Sequence, residues 1–175
     1  MPNLIPRLTG AFVALTLLAP LPALAEFLDP DWSDLTIDGV AAPDWISGVR
    51  EGDFIGMCTS CEGSLMLQVQ ARADDGTGSR VASGETTADT WTEIGKANAA
   101  QLGNGAEYYS TEDVTFASAK GFRTSAKGAT GDYSATYQLW ADDHQLIVKV
   151  YGADQDRVDE LATQVFDAAA PLTFD

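Results

Sequence analysis

Between residues 64 and 72, Leu65, Leu67, Val69 and Ala71 interleave with Ser64, Met66, Gln68, Gln70 and Arg72. A period of two places one set on each side of an extended chain and predicts a half-buried β-strand. A shorter strand, Asp53 to Met57, precedes it, and the stretch Asp74 to Ser79 reads as a loop. The period then changes. Trp91, Ile94, Asn98 and Leu102 share a helical face, Thr90 and Glu93 have capping-box spacing with Thr87 as an alternative cap, and Gly103-Asn104-Gly105 stops the helix. Strands follow at Val114 to Ala119, Tyr133 to Trp140 and Gln145 to Tyr151, with a further one at Phe122 to Ala126, and Ala141-Asp142-Asp143-His144 turns the last two into a hairpin. A final helix begins near Asp154. Its stripe is Val158, Leu161, Val165 and Phe166, Asp156 and Asp159 favour the positive end of its dipole, and Pro171 ends it. The hairpin-length connections predict an α+β domain: an antiparallel β-sheet with a mid-chain helix and a C-terminal helix packed on it.

The N-terminal part has a different character. Arg7, an apolar stretch from Leu8 to Leu21 and the small-x-small site Ala23-Leu24-Ala25 make residues 1–25 a secretory signal peptide. Pro20 and Pro22 argue against a membrane anchor there, and no later stretch has the run of about 20 apolar residues that a span needs. The expected mature chain is soluble and periplasmic. Residues 26–52, which repeat Pro-Asp-Trp at positions 30 and 43, read as an irregular arm pinned by Trp32 and Trp45; residues 53–175 form the α+β domain.

The predicted order of strands and helices over residues 64–169, with a late hairpin running into the last helix, resembles the PsbP-like α+β fold. That resemblance implies a secreted or lumenal accessory protein without a shared catalytic site, and it carries over no individual residues.

Charge narrows the partners. The chain has 10 basic and 26 acidic residues, a net charge of −16. Such a surface repels nucleic acid and anionic lipid and favours neutral or basic partners. Within it, Lys120, Arg123 and Lys127 form the one local positive cluster, a candidate anion site or else a solvated strand edge.

The two cysteines, Cys58 and Cys61, stand as C-x-x-C in "GMCTSC". A thioredoxin-type pair opens a helix whose dipole activates the thiolate. Here a strand follows instead, so no helix dipole is expected, and Glu62 would oppose ionisation. Met57, Cys58 and Cys61, joined by His144, are candidate ligands for copper, because soft sulfur suits the monovalent ion. The third reading is a disulfide across the turn, favoured by an even cysteine count in an exported chain. Its loop of about four residues contributes only ~2 kcal/mol of chain entropy, against ~3 for fifteen.

No nucleophile elbow, P-loop or H-E-x-x-H occurs. The sequence therefore predicts an exported, non-catalytic binding or accessory protein with no cofactor, acting on a protein partner or small ligand. The alternative is a thiol-disulfide or copper-handling protein that uses Cys58 and Cys61.

Overall fold

The structure, a computed structural model, describes residues 30–37, 40, 44–61, 63–141 and 143–174. The expected signal peptide lies outside the described residues, as do Glu62 and Asp142. Seven antiparallel strands form one sheet: β1 (Trp45–Arg50), β2 (Asp53–Cys58), β3 (Leu65–Ala73), β4 (Glu107–Phe116), β5 (Ala119–Lys127), β6 (Tyr133–Ala141) and β7 (His144–Gly152). Their order across the sheet is β1-β2-β3-β7-β6-β5-β4. Three helices accompany it: α1 (Thr77–Ala82), α2 (Ala88–Leu102) and α3 (Gln155–Phe174).

Strand alternation sorts the sheet into two faces. Leu65, Leu67, Val69 and Ala71 of β3 share the inner face with Leu146, Val148 and Val150 of β7 and with Ala135, Tyr137 and Leu139 of β6. All are buried, and α3 supplies Val158, Leu161, Val165 and Phe166 against them. The helical stripe and the period-two stripe thus meet in one core, as their patterns require. The arm closes the β1–β2 end of this core with Trp32, Leu35, Ile37 and Val40, and the Trp32 indole N–H donates to the Gly52 carbonyl at 2.8 Å.

The second face is covered at one end. There Trp91 of α2 stacks on Phe122 at 5.3 Å and meets Trp140 edge-on at 5.8 Å. The α2 docking stripe is Ala88, Trp91, Thr92, Gly95 and Ala99, mostly small residues. A side chain at position 95 would run into the Tyr108 ring, so glycine there allows a close approach to β4.

Five local expectations change. The arm, read as irregular to residue 52, holds edge strand β1 from Trp45 to Arg50, where the two-residue turn Glu51-Gly52, both at positive φ, folds it back on β2. The loop after β3 gives way to helix α1, whose first N–H groups are taken by Asp74 and Asp75 side chains. The strand read at Val114 to Ala119 spans the β4–β5 turn, where Ala117 adopts positive φ. Ile94 and Leu102, grouped by spacing with Trp91 on one helical face, are 52% and 66% exposed because Trp91 and small residues make the contact. Pro171 also lies inside α3, not at its end: in the last turn it interrupts the ladder at one position, and the helix continues to Phe174.

Candidate functional site

Residues in register across the sheet bring the cysteine turn to the start of the last helix. Cys58 pairs with Leu65, and Leu65 with Gly152, so the end of β2, the start of β3 and the end of β7 form one row. Helix α3 begins directly after that row. Asp154 caps it, accepting the Arg157 N–H at 2.9 Å. Gly63 makes the fit possible: its φ is +74°, and a Cβ there would come within 2.5 Å of the Ala153 Cβ.

A disulfide joins Cys58 and Cys61. The two sulfurs have unlike surroundings. Cys58 is 7% exposed and belongs to the core, whereas Cys61 is half-buried at its margin. The Cys61 N–H donates to Cys58 Sγ at 3.1 Å. Arg157 Nη2, from the first turn of α3, donates to Cys61 Sγ at 3.3 Å across 96 residues of sequence. Arg157 also lines a cleft of about 420 Å³ with Gly63, Ala153 and Asp154. Sequence reasoning missed this arginine, since nothing local to it points to the cysteines. What tertiary contact adds to the pair is a cation: α3 arrives from the far end of the chain and its first turn carries Arg157 to Cys61.

The proposed copper ligands do not converge. Met57 and Cys58 are consecutive strand residues and point to opposite faces. His144 pairs with Ala73, at the opposite end of β3 and β7 from the cysteines, about 26 Å away at ~3.3 Å per residue. Among the described residues no group of three or more His, Cys, Asp or Glu is placed to hold a metal.

The positive cluster is divided in the same way. Lys120 lies on the second face, Arg123 and Lys127 on the inner one. Arg123 is held by Asp159 of α3 at 2.6 Å and by Glu112 at 3.6 Å, and it packs over the Tyr137 ring. Lys127 lies over Tyr133. Arg123 is thus a strut between sheet and helix. Asp159→Asn is expected to lower stability by about 1–2 kcal/mol, less than a fully buried pair because Asp159 is partly exposed. A lower urea midpoint at unchanged m-value is the readout.

Lys120 and His144, chosen separately from sequence, come together with Asp74, Ser79, Asp143 and Trp140 around a cavity of about 400 Å³ beside the β6–β7 turn. The Trp140 indole Nε1 is buried without a hydrogen-bond partner in this structure.

One more surface stands out. Ile46, Met57, Met66 and Tyr151 are directly opposite one another on β1, β2, β3 and β7, and all lie on the second face. They are 65%, 43%, 41% and 41% exposed, so α2 leaves this end of the face uncovered. Partial burial against its neighbours raises the Tyr151 phenol above its usual pKa. The adjoining row, Gly48, Ile55, Gln68 and Lys149, also carries no carboxylate.

No protein-family model matches the chain, and no curated protein matches it. Among the described residues no helix is long and apolar enough to cross a membrane.

Proposed function

We propose that this chain is an exported, non-catalytic binding or accessory protein that takes an extended, neutral or basic segment of a partner protein along edge strand β1. The exposed Ile46–Met57–Met66–Tyr151 row carries this reading. Strand β1 is the end of the sheet, and among the described residues its outer edge pairs with no strand. It contains no proline or lysine, the residues that commonly blunt such edges. A segment added beside it would gain backbone hydrogen bonds and place alternate side chains in line with Ile46, lengthening the apolar row by one strand. Docking there buries no carboxylate from either row. A net charge of −16 repels a second copy or an acidic segment, attracts a basic one and leaves a neutral one unopposed. The leader-like N-terminus and the accessory role implied by the PsbP-like resemblance support the same reading.

Titration of short peptides with alternating apolar side chains and graded net charge, followed by fluorescence anisotropy, tests it. Neutral and basic members should bind more tightly than acidic ones. Ile46→Glu/Met66→Glu should weaken binding at least about tenfold, or about 1.4 kcal/mol, with little change in Tm because both positions are exposed. The reading fails if no peptide binds, if the double variant binds equally well, or if sedimentation shows self-association that the variant abolishes.

A further inference from the structure

We infer that Cys58 and Cys61 form a thiol–disulfide exchange centre in which Cys61 is the accessible sulfur and Arg157 stabilises its thiolate. This goes beyond the binding reading and does not depend on it: peptide capture by β1 stays non-catalytic, and the cysteine turn adds a redox exchange of its own. A staple buried on both sides would need no such surroundings, and a four-residue loop adds little stability to a domain with a large core. The asymmetry is that of an exchanging pair. Cys58 is sealed in the core, Cys61 is at the margin beside the cleft, and a guanidinium donates to the outer sulfur. A cation beside a sulfur favours its ionised form. Asp154 and Glu160 also flank Arg157; the Asp154 carboxylate is engaged as the α3 cap.

The co-reactant is a dithiol of another exported protein. One of its thiolates attacks Cys61 Sγ, the Cys58–Cys61 bond breaks, and Cys58 leaves as a thiolate that takes a proton from solvent. Cys61 is then held in a mixed disulfide with the partner. The partner's second thiolate attacks its own sulfur in that bond and releases Cys61 as a thiolate beside Arg157. Two electrons pass from the dithiol to the pair, and the partner leaves oxidised. Stabilising the released thiolate favours the reduced pair and makes the disulfide a better oxidant.

Equilibration of the full mature chain in glutathione buffers of graded ratio, with acid quench, alkylation and mass measurement, tests this without any partner. The pair should pass from oxidised to reduced within that series. Arg157→Ala should shift the midpoint about tenfold toward the disulfide, equivalent to about 30 mV for a two-electron couple, and Arg157→Lys should recover part of the shift. In single-cysteine variants, Cys61 (in Cys58→Ser) should alkylate at least tenfold faster than Cys58 (in Cys61→Ser). Circular dichroism on each variant confirms that rates are compared on folded protein. A pair that stays oxidised across the whole series, a midpoint indifferent to Arg157→Ala, or Cys58 reacting as fast as Cys61 would each overturn the proposal. None of these results depends on peptide capture by β1, so the two readings fail separately.

Discussion

Gly121→Ala is expected to lower stability by about 3 kcal/mol, at the upper end of what overpacking costs. Gly121 faces the core side of β5 opposite Leu139 of β6. A Cβ there would lie 2.7 Å from the Leu139 Cα and closer still to the Gln138 carbonyl oxygen. Those are backbone atoms, so no rotamer change relieves the overlap. The two strands must part, and they join the α2 half of the sheet to the α3 half. At roughly 2–4 °C per kcal/mol for a domain of this size, Tm should fall by about 6–12 °C. Gly48→Ala provides the comparison: nothing lies within 4 Å of its would-be Cβ, so its stability should change by no more than about 0.5 kcal/mol. Equal effects at the two glycines in calorimetry would contradict the packing described for β5 and β6.

Phe122→Ala should cost about 3–5 kcal/mol, the range for removing a fully buried phenylalanine. Phe122 is 2% exposed and carries both the Trp91 stack and an edge contact with Trp140 at 6.3 Å. The consequence should extend beyond the cavity. No α2 residue is fully buried, so the helix depends on Trp91 and its small-residue stripe for attachment. Amide exchange in α2 should therefore quicken far more than in α3, and the near-ultraviolet dichroism of the tryptophans should weaken. Ile94→Ala, on the exposed face of the same helix, should be nearly neutral. If Phe122→Ala left α2 exchange unchanged, another contact would have to hold the helix.

The strands of the core were readable wherever a period of two ran unbroken. β3, β6 and β7 fall within a residue or two of expectation, because alternating burial is written directly in residues such as Leu65, Leu67 and Val69. The α3 stripe was readable for the same reason. The sequence misled where docking uses small residues or where charge hides a strand. Large apolar side chains on α2 suggested the wrong face, since Gly95 and Ala99 contact the sheet while Ile94 and Leu102 meet water. β4 reads "EYYSTEDVTF", too acidic for a strand that packs on both sides, but it is the outer strand of the sheet and keeps its carboxylates exposed.

The candidate site divides along the same line. Residue types and local spacing were enough to single out Cys58 and Cys61, to place them in a turn between two strands, and to bring His144 and Lys120 under suspicion. Local sequence has no means of stating which distant element adjoins that turn. That was decided when β7 inserted beside β3: the insertion put Gly152 in the row of Cys58 and Leu65, started α3 at the disulfide, and carried Arg157 to Cys61. The same strand order moved His144 to the far end of the sheet and left the Ile46–Tyr151 row beyond the reach of α2. Periodicity is a property of consecutive residues and survives in any tertiary context, whereas adjacency between segments nearly a hundred residues apart exists only once the sheet has closed its order.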